Sequence, residues 1–183
     1  MKTMLIKIAV IILFIVGIAN PLYAKTETAK EEFGYHCQKC GGCLSVDETE
    51  KIWDKYKEKY PMQEYEQCLD KPSGMTTQGI VECTWEEVER QEVLLNQKYK
   101  KLMSSLPKNQ KITLRNYQRK WIKKRKEISD CNHTASGGTM DLINGSGAYL
   151  FETTQRILEF DQCLSAKKIS RNSKGCEKLY PLK

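Results

Sequence analysis

Cys37, Cys40 and Cys43 stand three residues apart near the start of the chain, with His36 beside them. Thiolates this close could ligate zinc, but a closed structural site takes four ligands, so His36 or Cys176 would have to complete it. A Cys-x2-Cys pair also serves thiol redox chemistry, which usually sits at a helix start in a βαβ setting. No such setting is legible here. Cys68, Cys83, Cys131, Cys163 and Cys176 bring the count to eight, and in an oxidising compartment an even set reads first as up to four disulfides. Structural bridges, with no metal and no cofactor, are therefore expected, and one partner for the Cys37–Cys43 run is expected from the tail through Cys176.

Other reactive groups are sparse. The two histidines, His36 and His133, accompany neither a G-x-S-x-G nucleophile elbow nor an H-E-x-x-H metal motif. Glu86 and Glu87 form a carboxylate pair, but at a helix start they serve more simply to complement the helix dipole. Residues 136–147 hold four glycines, at 137, 138, 145 and 147, and match neither a Walker loop nor a dinucleotide fingerprint. Two readings of this stretch stand: a flexible connection, or a protruding binding loop with Gly137, Gly138, Thr139 and Asn144 as contact residues. No enzymatic activity is expected.

The compartment follows from the first 24 residues. Lys2 and Lys7 flank a short n-region, an apolar run covers Ile8 to Ala19, and Leu22-Tyr23-Ala24 suits a cleavage site, the layout of a secretory signal peptide. Without residues 1–24 the 183-residue chain loses two lysines and no acid, so its formal charge falls from +7 to +5. The expected product is exported, periplasmic or secreted, with no membrane span after signal removal. Its charge is uneven: residues 95–130 carry 12 basic and 2 acidic side chains, while 71–94 carry 2 and 5. Lys120 to Lys126 could hold an anionic envelope polymer; nucleic acid is excluded as a partner by export and by the lack of a recognition motif.

Positioning these groups falls to helices. Four segments show helical periodicity, about 47–60, 77–104, 111–130 and 148–164, and none shows convincing strand alternation. In the second, Trp85, Val88, Glu92, Leu95, Tyr99 and Leu102 alternate at steps of three and four; in the third, Leu114, Gln118, Trp121, Arg125 and Ile128 do the same. Glu92 and Arg125 occupy core-facing steps where an unpaired charge is costly, so they are expected to meet each other, or other polar partners, as a register-fixing ion pair rather than to present a buried acid with a raised pKa. Short polar connections place the central helices antiparallel. The expected fold is all-α, a disulfide-stapled antiparallel bundle of about three to four helices.

From Cys68 onward the chain resembles the lysozyme inhibitor LprI-like N-terminal domain family. The resemblance rests on Cys68, Thr77-Gln78 and Cys83; on Glu92, Leu95-Asn96, Tyr99 and Leu102; on Gln118-Arg119, Trp121 and Arg125; and on Cys131, Gly137-Gly138-Thr139, Thr153 and Arg156. It divides the chain into a signal peptide (1–24), a cysteine-containing extension (25–67), the helical domain (68–164) and a basic tail (165–183). The family pattern places a cysteine near Ala148 or Tyr149 that this chain lacks, which implies Cys163 as the substitute partner of Cys131. The resemblance also implies a non-catalytic binder of lysozyme or another peptidoglycan-cleaving enzyme; the alternative is a structural or adhesive envelope protein. A chain at +5 is not steered toward a basic lysozyme by its overall field, so contact would fall to an acidic face including Glu86 and Glu87, or to the 136–147 loop.

Overall fold

Apolar residues repeating at helical steps, punctuated by Pro61 and Pro107, fold as five α-helices among the residues described in the computed structural model: Cys40, 46–166, 169–170 and 172–180. These are α1 (Val46–Lys59), α2 (Gln63–Leu69), α3 (Thr77–Ser105), α4 (Lys108–Asn132) and α5 (Met140–Leu164). Short 3-10 turns at Pro72–Met75 and Glu177–Leu179 complete the set, and the described residues contain no strand. Thr76 starts α3 by accepting a hydrogen bond from the Gly79 N–H at 3.0 Å on its Oγ1, which satisfies one of the helix's orphan donors. Leu106 and Pro107, both extended, end α3 and turn the chain into α4.

Cross-helix contacts set the directions. Trp85 packs on Tyr149 and Tyr99 on Phe160, so α3 and α5 run the same way. Gln118 meets Arg156 and Ser129 meets Gly145, so α4 runs against both. The shared core includes Val88, Leu95 and Leu102 from α3, Leu114 from α4, and Ile157 and Phe160 from α5. Each such buried side chain is worth ~1.5–3 kcal/mol relative to exposure. α1 joins this core through Tyr56, whose hydroxyl donates to the Gln91 Oε1. Gln91 in turn donates to Glu87, and burial, with Glu87 nearby, raises the Tyr56 pKa.

Three disulfides among the described residues staple the bundle. Cys68–Cys83 ties α2 to the start of α3 with Cα atoms 5.8 Å apart, Cys40–Cys131 joins the extension to the end of α4, and Cys163–Cys176 folds the tail back onto α5. Two expected pairings are therefore corrected. Cys176 pairs with Cys163 rather than with the Cys37–Cys43 run, and the partner of Cys131 is Cys40 rather than Cys163. The reason is helix direction: Cys131 closes α4 at the end where α5 begins, whereas Cys163 lies at the far end of α5. Cys40, committed to a bridge, is also unavailable to the zinc or redox site considered for its motif. Cys37, Cys43 and His36, like residues 1–24, expected to form a signal peptide, lie outside the described residues.

A buried polar spine links the three long helices. Arg125, 3% exposed, lies between two aromatic rings, its guanidinium carbon 4.5 Å from the Trp121 centroid and 4.0 Å from that of Tyr149. Its Nη1 donates to Thr153 Oγ1 at 2.8 Å and pairs with the Glu92 carboxylate at 2.5 Å. Arg156 stands beside the same Trp121 ring, donates to Gln118 at 3.0 Å, and pairs with Glu159 at 2.9 Å. The expected Glu92–Arg125 contact thus forms part of a larger network. Glu152 sits near these groups, and burial raises its pKa against the opposing pull of Lys124.

A second charged hub fastens α1. Asp161 on α5 accepts from Tyr60 and pairs with Lys59 and Lys98, each at 2.7 Å. Burial alone would raise its pKa, but the hydrogen bonds from Lys59, Lys98 and Tyr60 prevail and hold it below the ordinary carboxylate value.

Within the spine pair the guanidinium is the buried partner, while the Glu92 side chain keeps 31% exposure. Glu92→Gln therefore leaves a buried charge unmatched and is expected to cost about 3–5 kcal/mol, as for a buried pair broken on one side, whereas Arg125→Met, which leaves only a solvent-reaching carboxylate and keeps the slot between the rings filled, should cost less. Urea unfolding of the two variants measures the ranking; equal small losses would contradict it. A group with a depressed folded pKa stabilises above its unfolded pKa and loses that contribution as pH falls through the folded value. Asp161→Asn should therefore lower stability at pH 7 by roughly 1.5–3 kcal/mol. Its deficit relative to the native chain should shrink below about pH 4, which thermal melts across pH 3–7 will show.

Candidate functional site at the loop end

The connection from α4 to α5 spans residues 133–139, shorter than the glycine pattern suggested. Gly145, Ser146 and Gly147, read as loop, lie in α5, which starts at Met140 rather than near Ala148. Gly145 and Ser146 are buried there. Ser129 donates to the Gly145 carbonyl at 2.8 Å, and a Cβ on Gly145 would stand 2.4 Å from the His133 Nδ1. That glycine exists for close approach: the His133 ring occupies the space a side chain would need. Asn144 consequently sits on the exposed side of α5, not in a loop.

What remains of the loop is held by one carboxylate. Asp141, 2% exposed, accepts from the Ser136 and Gly137 N–H groups at 2.7 Å each and from the Ser136 hydroxyl at 2.9 Å. Gly137 has φ +79°, a left-handed conformation that favours glycine. The Asp141 and Leu142 amides bond back to Gly138 and Thr139, and Cys40–Cys131 anchors the preceding helix end. Ser136, Gly137, Gly138, Thr139 and Met140 are left facing solvent, Met140 at 58% exposure. Together these contacts turn a glycine-rich stretch into a fixed projection with a small-residue tip. Asp141 was the residue missed from the sequence; a carboxylate one helical turn after a glycine pair, able to collect backbone amides, is its signal.

Electrostatics at this end are opposite in sign to the chain as a whole. α3 begins at the end of the bundle from which the loop opens, and Cys68–Cys83 holds α2 against it. Residues 63–92 carry eight acids and two bases, and Glu82, Glu86 and Glu89 are exposed along α3. Glu86 and Glu87 are not alike. Glu86 faces solvent, but Glu87 is 2% exposed and accepts from Gln91 and Arg90, so it cannot contact a partner as expected. Its burial follows from helix phase: the buried face of α3 turns through Thr84, Val88 and Gln91, which carries position 87 inward and leaves Trp85 partly exposed. Nor does the Glu86–Glu87 pair converge on one point as an acid/base couple would.

On α4 the lysines singled out for polymer binding are partly engaged. Lys123 pairs with Glu127 at 3.7 Å and Lys126 with Asp130; exposed i,i+4 pairs of this kind are weak, ~0.3–0.5 kcal/mol. Among the described residues no group of three or more His, Cys, Asp or Glu side chains could hold a metal ion, and no helix is long and apolar enough to cross a membrane.

Fold and site together define a disulfide-stapled helical bundle that offers a fixed loop beside an acidic face, a scaffold suited to binding. The chain belongs to the lysozyme inhibitor LprI family, whose sequence model matches residues 68–160, just over half of its length. No curated protein and no solved structure matches it significantly. The matched region opens at Cys68 and includes the spine residues Glu92, Gln118, Trp121, Arg125, Thr153 and Arg156. Of the staples, Cys68–Cys83 lies within it, Cys40–Cys131 ties the preceding segment to the end of α4 inside it, and Cys163–Cys176 lies just beyond it.

Asp141→Ala leaves two backbone N–H groups without their acceptor, at a cost of roughly 1–3 kcal/mol. The expected readout is local: faster amide hydrogen exchange at Ser136 and Gly137 with protection retained along α3 and α4. Unchanged exchange at those two amides would show that the carboxylate does not order the loop.

Proposed function

We propose that this chain is an exported, non-catalytic inhibitor of a lysozyme-type peptidoglycan hydrolase. In this reading the loop of residues 136–140 enters or rims the substrate cleft, and the exposed acids of α3 steer the approach. The observation that carries the reading is the Asp141-bound loop. Its backbone is held by hydrogen bonds to Asp141 without any partner, an arrangement that lowers the ordering entropy lost on association, and it lies at the acidic end of a chain whose overall charge is positive.

Family membership supports the partner class. The acidic end supplies what the net charge lacks, because attraction between proteins depends on the facing patches, and screened charges more than about 8–10 Å from the contact contribute little at physiological salt. Disulfides in the bundle accord with an oxidising compartment. Binding an anionic polymer through Lys120 to Lys126 is the weaker reading, since part of that charge is already paired.

The test is lysis of cell-wall suspensions by a panel of lysozymes in the presence of the purified chain. Inhibition of at least one is expected. Gly138→Arg puts bulk on the tip, where a Cβ has open space apart from the Ser136 hydroxyl at 3.5 Å, so it should fold normally and weaken inhibition at least tenfold. Glu86→Lys should slow association in a salt-dependent way, whereas Lys100→Glu, on the opposite half of α3, should not. Failure to bind or inhibit any lysozyme would overturn the proposal, as would full inhibition by Gly138→Arg and Glu86→Lys alike.

A further inference from the structure

The opposite half of the bundle carries a second site of different chemistry. α3 and α4 each pack chiefly on α5 rather than on one another. Between them opens a cleft of about 290 Å³, lined by residues of these two helices alone. Its floor is Leu95, Gln118 and Arg125; Glu92, Asn96 and Tyr99 form one wall, and Arg115, Arg119 and Ile122 the other. This volume lies just below the ~300–1,000 Å³ range of small-ligand sites, which suits one hexose-sized ring rather than a length of polymer.

The polar lining is uncommitted, unlike the polar groups of the spine beneath it. Among the described residues, Arg115 and Arg119 have no acidic partner, and neither Asn96 nor the Tyr99 hydroxyl makes a hydrogen bond. Gln118, itself buried, gives its carbonyl to Arg156 at 3.0 Å and leaves its amide NH₂ without a protein acceptor. Arg125 is already neutralised by Glu92, so the net positive charge of the cleft comes from Arg115 and Arg119, one helical turn apart on α4.

We infer that this cleft binds a sugar ring bearing a carboxylate. Guanidinium forks match a carboxylate geometrically and hold it by charge-assisted hydrogen bonds. The planar amides of Asn96 and Gln118 and the Tyr99 hydroxyl suit ring hydroxyls or an acetamido group, and Leu95 with Ile122 offers apolar surface to the C–H face of the ring. An extended polyanion fits less well, because the arginines line a short cleft instead of a continuous track. The cleft lies away from the loop end, and its occupancy is independent of hydrolase inhibition.

Calorimetric or NMR titration of the mature chain with D-glucuronate and N-acetylmuramic acid, against D-glucose and N-acetylglucosamine, tests the inference, because the first pair exchanges the C6 hydroxymethyl for a carboxylate and the second adds a carboxylate on a 3-O-lactyl ether. At least one acidic sugar should bind saturably and at least tenfold more tightly than its neutral counterpart. Arg119→Ala and Arg115→Ala, both at exposed positions, should keep the native melting curve and each weaken binding at least tenfold. Four results would overturn the site: no saturable binding, equal affinity for neutral sugars, unchanged affinity in both variants, or displacement by acetate or polyphosphate at equal concentration. Lysis assays on the same arginine variants keep this result separate from the inhibitor reading, which they should leave unchanged.

Discussion

Arg125 is where the three long helices agree on their register. A guanidinium removed from water is stable only if its charge and hydrogen-bonding capacity are met, and here each helix contributes: Glu92 from α3, Trp121 from its own helix, Tyr149 and Thr153 from α5. Sliding α3 by one turn would put Val88 or Leu95 where Glu92 meets the guanidinium. Its Nε has no hydrogen-bond acceptor in the structure, so the flanking rings carry part of the stabilisation through cation–π contact, worth up to ~2 kcal/mol when desolvated. Apolar packing alone would tolerate several registers; the spine selects one.

With the register set, charge separates along the bundle. α3 begins among glutamates and ends among lysines, α4 begins basic, and the α3–α4 turn therefore gathers positive charge while the loop end gathers negative. A net charge of either sign is a poor guide to what such a chain meets. The same polarity explains why two chemically distinct surfaces coexist, an acidic face with a fixed loop and a cleft in which Arg115 and Arg119 have no acidic partner among the described residues.

Much of the bundle was legible in the sequence because its helices are long and their stripes regular, and Glu92 and Arg125 announced themselves as charges at core-facing steps. Elsewhere local reading misled. Gly145 and Gly147 looked like loop residues because glycine is a poor helix former, yet Gly145 is helical so that His133 can pack against it. Glu87 looked like surface charge because its neighbours are acidic; its burial depends on Gln91 and Arg90, which donate hydrogen bonds to its carboxylate. The α2 helix escaped notice because seven residues, stapled by Cys68, carry too short a pattern to register. Disulfide partners depend on which helix ends meet in space, information that cysteine spacing does not contain.

Size constrains how the loop end could hold a hydrolase. Stable protein interfaces bury about 800 Å² on each partner, far more than the tip of residues 136–140 can offer. The remainder must come from what borders the loop: Met140 and Leu142 on the first turn of α5, Trp85 on α3, and the glutamates beyond it, all with exposed surface. Apolar groups near the loop with acids outside them would resemble the organisation of tight interfaces, where desolvated anchors are surrounded by a polar rim. On that arrangement the acids would govern the rate of encounter and the loop with its apolar neighbours the lifetime of the complex. The staples at Cys131 and Cys83 would then matter to binding without touching the partner, because they hold the helix ends on which both parts of the surface are built.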